Sequence, residues 1–168
     1  MTKNSNVLVC YSAERRLSEY SPRGKLIHRI NLPLAIEHPW RAVALDARVW
    51  VVSHGDRRGC PLHRVCFIDG QCKQMTHSHG AAPGTDPDQL NEPRSLIVDA
   101  ADRVWVADYG NHRVKVLAVD CSHPQELLNA DSKLDGPTCL CLDDTKGLLY
   151  VGQHNGRILV FKVLQAEL

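Results

Sequence analysis

The chain contains no run of about eighteen apolar residues, so no membrane-spanning helix is expected. It lacks a strong charge of either sign. A formal net charge of +1 over 168 residues is far from the basic bias that marks a nucleic-acid-binding arm. Residues 1–6 run straight into an apolar segment without the apolar core of a signal peptide. No Gly-x-Ser-x-Gly elbow, phosphate loop or dinucleotide fingerprint is present, which removes the commonest sequence signs of hydrolase, nucleotide and hydride chemistry. Paired Cys-x-x-Cys spacing is also missing. Seven cysteines, an odd number at irregular spacing, argue against a disulfide framework and for a reducing, cytoplasmic setting. Cys139 and Cys141 alternate with Leu140 and Leu142 and are expected to be small buried hydrophobes of a strand, with Cys10 and Cys66 also in strands.

Self-similarity is what the chain does have. Residues 91–117 form one unit: a proline opens a short apolar strand ending at Asp99, a second strand covers 104–108, a polar turn follows, and a third strand starts at Arg113. Degraded copies recur. One is led by Pro39 and another by Pro137, and a copy at residues 7–31 lacks the opening strand. Arg16, Arg64, Arg113 and Arg157 stand at the same place in the four copies. The strands are about five residues long, rich in Val, Leu, Ile and Trp, and bounded by Gly, Asn, Asp or Pro. The first two strands of each unit are apolar on both faces, as strands between neighbouring sheets are. Arg113 and Lys115 alternate with Val114 and Val116, which places the third strand nearer solvent. The reading is an all-β chain, a partial β-propeller of about four blades, with a compact four-bladed closure as the alternative. The units lie at about 6–36, 37–76, 90–130 and 135–164, with 77–89 as an inter-blade loop.

The unit resembles the NHL repeat. Pro93 to Val116 carry the resemblance, above all Ala107-Asp108, Gly110-Asn111-His112-Arg113 and the flanking strands, with Ser95 where the repeat usually has glycine. NHL propellers usually have about six blades, so the resemblance implies part of a larger ring. Residues 149–162 look like the last blade of tripartite-motif proteins. That likeness implies a non-catalytic binding module for protein or single-stranded RNA, the target-recognition part of a ubiquitin-ligase-like protein. A remnant of an NHL-like propeller enzyme, a metal-dependent lyase or hydrolase, is the alternative.

Asp108 and Arg113 flank the hairpin turn and are expected to tie the second strand to the third in the bidentate way arginine favours. Asp46, Asp99 and Asp143 end the first strands and are expected to fix turns through their side chains. Cys60, His63, Cys66 and Cys72 carry the right atoms for zinc, but free thiols and surface histidines are the default expectation, with no metal and no cofactor.

Strand alternation puts the turns between second and third strands on one face with the inter-blade connections. That face collects Trp40, Arg41, His54, Arg57, Arg58, Arg94, Tyr109, His112 and His154. Aromatic residues mixed with arginine suit protein hot spots or stacking on bases. An incomplete ring also leaves unpaired edges and apolar faces, so self-association is expected.

Overall fold

The computed structural model describes residues 6–46, 48–55, 59–122 and 124–163. It contains four antiparallel sheets. Blade 1 is β1 (Val7–Tyr11), β2 (Arg16–Tyr20) and β3 (Leu26–Asn31). Blade 2 is β4 (Pro39–Ala44), β5 (Val49–His54), β6 (Arg64–Asp69) and β7 (Met75–His79). Blade 3 is β8 (Pro93–Val98), β9 (Val104–Asp108), β10 (Arg113–Leu117) and β11 (Gln125–Leu128). Blade 4 is β12 (Pro137–Asp143), β13 (Leu148–Gln153) and β14 (Ile158–Lys162). The strands of each blade follow one another in chain order, the up-and-down arrangement of a propeller. His77 to His79 belong to β7, so the connection to blade 3 starts at Gly80 rather than at residue 77.

Contacts between blades give each strand its radial place. The inner strands β4, β8 and β12 adjoin in sequence. β5 touches β8 and β9 touches β12, and β1 touches β4 in the same way. β1 therefore holds a second-strand position, and blade 1 lacks an inner strand among the described residues. The hydrophobic cores lie between blades. Leu17, Ile30, Val52, Cys66 and Ile68 fill the first wedge. Val51, Phe67, Leu96, Val106 and Leu117 fill the second. Trp105, Val114, Leu140, Leu149 and Val151 fill the third. Among the described residues no core joins blade 4 back to blade 1, so the four blades form an open arc.

The same local code opens blades 2, 3 and 4. Three residues before each proline an aliphatic side chain, Ile36, Leu90 or Leu134, is buried in the wedge. Full burial of such a side chain contributes about 1.5–3 kcal/mol. The residue just before the proline, His38, Glu92 or Gly136, has φ of 50°, 54° and 56°. A bulge follows, because the ladder skips one residue after each proline: Trp40, Arg94 and Thr138. Bulges re-aim a side chain, and these three are turned out of the ladder. The aspartate turns form as expected. Asp46 Oδ1 accepts from Arg48 N and Val49 N, Asp99 Oδ1 from Ala101 N and Arg103 N, and Asp143 Oδ1 from Lys146 N.

Two expectations are overturned here. β10 is not near solvent: all five of its residues are buried, and Lys115 is only 1% exposed. The 80–92 connection folds over the strand, and Lys115 Nζ meets His79 Nε2 at 3.2 Å and the carbonyl of Pro87. Cys139 and Cys141 are exposed rather than buried. Their face of blade 4, which also carries Ile158 (69% exposed) and Val160 (53%), has no blade beyond it among the described residues. Cys66 is buried as expected, and burial pushes its thiol up to about 12.

Candidate functional site

Backbone hydrogen bonds place the second-to-third-strand turns beside the inter-blade connections. Tyr109 N donates to Glu92 O, Gly110 N to Asn91 O, His154 N to Gly136 O and His63 N to Ala81 O. These loops share one face, and side chains lock it. Asp108 Oδ1 accepts from Asn91 N at 2.6 Å, while its Oδ2 accepts from Asn111 Nδ2 and from Arg113 Nε at 2.7 Å. The Asp108–Arg113 pair is thus held by one hydrogen bond and is not bidentate, because both carboxylate oxygens serve other donors too. Burial pushes the Asp108 carboxyl upward, while its hydrogen bonds from Asn91, Asn111 and Arg113 pull it down. The remaining Arg113 donors reach Glu126 and the carbonyls of Thr85, Asp86 and Gln89, binding the 80–92 connection to blade 3.

Histidines staple consecutive blades. His63 Nδ1 accepts from Glu92 N at 3.0 Å, and His112 Nδ1 accepts from Gly136 N at 3.0 Å. Each imidazole precedes the third-strand arginine of one blade and holds the left-handed residue that opens the next. His112, expected as a binding residue, therefore has a supporting role, although half of its side chain is exposed. His54 is at the buried end of β5, only 1% exposed, and is not available to a ligand. Burial, with Arg64 nearby, pulls its pKa down to about 4. Arg41 is exposed and close enough to Cys10 to oppose the rise that burial imposes on that thiol. Arg57 and Arg58 lie outside the described residues. Cys60, His63, Cys66 and Cys72 do not converge: Cys60 Sγ donates to Leu62 O, His63 holds Glu92, and Cys72 is exposed.

Four of the expected residues do come together. The Arg94 guanidinium lies over the Tyr109 ring, 3.4 Å from its centroid, and 5.6 Å from that of Trp40. Its Nη2 donates to the buried Glu92 carboxylate at 2.8 Å, and its Nε is buried without a hydrogen-bond partner among the described residues. The far edge of Tyr109 meets His154 in a T-shaped contact, with centroids 6.1 Å apart. Gly136 fits beside both rings. A Cβ there would stand 2.8 Å from each, so only glycine lets the rings approach at this backbone angle. Trp40, Arg94, Tyr109 and His154 form one array across blades 2, 3 and 4, with Trp40 43% exposed. The sequence reading collected these residues on one face without giving their order. The bulge after the proline places Trp40 and Arg94, and the recurring proline is its signal; Tyr109 and His154 come from the second-to-third-strand turns.

Two hollows lie at the end of the blades away from this array. One of about 350 Å³ separates blades 3 and 4, and one of about 600 Å³ separates blades 1 and 2.

Comparison with known proteins agrees with this geometry. Residues 90–117 match the NHL repeat. A 72-residue segment is 36% identical to NHL repeat-containing protein 3 of Homo sapiens, over 43% of this chain and 21% of that protein. A 37-residue segment is 51% identical to NHL repeat-containing protein 3 of Mus musculus, over 22% of this chain and 11% of that protein. The match thus spans about a fifth or less of these relatives. Among solved structures, a protein of unknown function from Bacteroides caccae superposes with a TM-score of 0.72 at 16% identity, over 95% of this chain and 60% of the other. Virginiamycin B lyase from Staphylococcus aureus superposes with a TM-score of 0.60 at 10% identity, over 99% and 55%. At such identities the likeness is one of fold.

Proposed function

We propose that this NHL-repeat chain is a non-catalytic binding module that presents the Trp40–Arg94–Tyr109–His154 array to a protein partner. The observation that carries the reading is Arg94. It is fixed by Glu92 and Tyr109, yet 28% of its side chain stays exposed beside Trp40. A preplaced, partly exposed guanidinium beside an exposed tryptophan suits a partner carbonyl or carboxylate seated against an apolar side chain. Arginine and tryptophan are the residues that dominate protein hot spots. Single-stranded RNA is the second reading, supported by Trp40 as an exposed stacking surface. The tripartite-motif likeness of residues 149–162 supports a role in target recognition for a ubiquitin ligase. The lyase reading has only a shared fold behind it.

Trp40→Ala is expected to weaken binding of peptides selected on the wild-type chain by at least tenfold, with thermal unfolding little changed. Arg94→Ala is expected to weaken it as much and also to lower the melting temperature, because it strips the buried Glu92 carboxylate of its guanidinium. Isothermal titration measures the affinities. If the double variant keeps every selected ligand, the assignment of this face fails. A pool of single-stranded RNA serves as the other arm, since RNA affinity should fall steeply with salt.

We further propose that the uncovered face of blade 4 makes the chain associate with itself. Sedimentation is expected to show association that rises with concentration and is reduced in Ile158→Lys/Val160→Lys. A wild-type chain that stays monomeric at high micromolar concentration would refute this.

A further inference from the structure

The larger hollow, about 600 Å³ between blades 1 and 2, lies at the end of the blades away from the array. Its size is that of a small-molecule site. Its floor is fixed. Gly70 N donates to Arg48 O, joining two turns of blade 2, and a Cβ on Gly70 would come within 2.7 Å of that oxygen. One wall is apolar, with Trp50 partly exposed beside Ile30 and Ala44.

The polar groups around it are unevenly committed. Both oxygens of Glu19 are occupied, Oε1 by Asn6 Nδ2 and Oε2 by His28 Nδ1. Asp46 Oδ1 accepts two backbone N–H groups. The guanidinium of Arg48, the ammonium of Lys73 and the indole N–H of Trp50 have no side-chain hydrogen bond or ion pair among the described residues. Asp69, near Arg48, has its Oδ1 taken by Gln71 N and Cys72 N. The smaller hollow, between blades 3 and 4, differs on this point. There Arg103 Nε and Trp105 Nε1 both donate to Asp99 Oδ2, so its indole and its guanidinium are already engaged. Only the larger hollow combines an accessible indole with uncommitted cationic donors.

We infer that the hollow between blades 1 and 2 binds a small molecule that joins a flat apolar ring to a carboxylate or phosphate. The ring stacks or edges against Trp50, and the anionic oxygens accept from Arg48 and Lys73. The inference is independent of the array and of its partner.

The test uses the full chain with four probes: 1-naphthyl phosphate, 1-naphthoate, 1-naphthol and inorganic phosphate. Titration calorimetry and the indole N–H resonance of Trp50 report binding. At least one of the first two probes is expected to saturate the site and move that resonance, at least tenfold tighter than naphthol or phosphate alone. The arm that binds tighter separates phosphate from carboxylate recognition. Arg48→Gln/Lys73→Gln, both exposed substitutions, is expected to weaken that probe at least tenfold while the melting temperature holds. Trp50→Phe keeps an aromatic wall and is expected to retain most of the affinity. Naphthol binding as tightly as both anions, an unchanged affinity in the double variant, or no binding of any probe at millimolar concentration would each overturn the inference.

Discussion

Arg113→Ala is expected to destabilise the chain by about 3–5 kcal/mol, because it strips a buried carboxylate of its charged partner. Arg113 is buried, and its guanidinium meets Asp108, Glu126 and three carbonyls of the 80–92 connection. Removing it leaves the buried Asp108 carboxylate with only its neutral donors, Asn91 N and Asn111 Nδ2, and frees the connection that covers Lys115. Native domains are stable by only about 5–15 kcal/mol, so the loss should be plain in the midpoint of urea unfolding. Arg113→Lys should recover little, since a point charge cannot serve Asp108 and the three carbonyls with one planar fork. The control is Arg157→Ala, at the matching position of blade 4 but exposed, where the change should stay within about 0.5 kcal/mol. Equal costs at the two positions would show that repeat position, and not burial with its hydrogen bonds, sets the effect.

The second large effect is acid sensitivity. His54 and His79 are buried, and each has its pKa pulled down to about 4, first by burial and then by a neighbouring cation, Arg64 for His54 and Lys115 for His79. His79 Nε2 faces the Lys115 ammonium at 3.2 Å, so the imidazole must accept and therefore stay neutral. In the unfolded chain a histidine takes up its proton near pH 6.5. Between pH 6.5 and 4 the unfolded state binds a proton that the folded state refuses. Stability contributed by the neutral imidazoles is therefore complete above 6.5 and lost as pH falls to 4, roughly 3 kcal/mol from each. Urea unfolding at pH 7 and at pH 5 should show the decline. His79→Asn should remove about one proton from its slope, whereas a slope unchanged by that substitution would refute the role given to His79. The imidazole resonances of both residues should hold their neutral positions at pH 5.

Much of this fold was legible in the repeated unit. Strand length, the aspartate turns and the blade-opening prolines follow from local chemistry, which each unit carries within itself. The errors fall where a partner lies far away in sequence. Lys115 alternates with valines like a solvent-facing residue, and only the return of residues 80–92 over β10 buries it. Cys139 and Cys141 have the pattern of a buried strand, but burial also needs a further blade. His54 looks like a turn residue and instead closes β5 as a buried side chain near the Glu37 backbone. Arg16, Arg64, Arg113 and Arg157 are equivalent in sequence but not in setting. Arg16 stacks on Tyr11, Arg113 holds a buried aspartate and Arg157 is exposed. The array residues were visible as a composition of one face. Their contact depends on Gly136, whose missing side chain lets Tyr109 and His154 meet.

The placement of the cores between neighbouring blades has a mechanical consequence. Each wedge is built by two adjacent units, so among the described residues cohesion runs from neighbour to neighbour and no central pillar carries the whole. Blade 2, which carries Trp40 of the array and Trp50 of the hollow, is therefore the one joint through which a change at either end can reach the other.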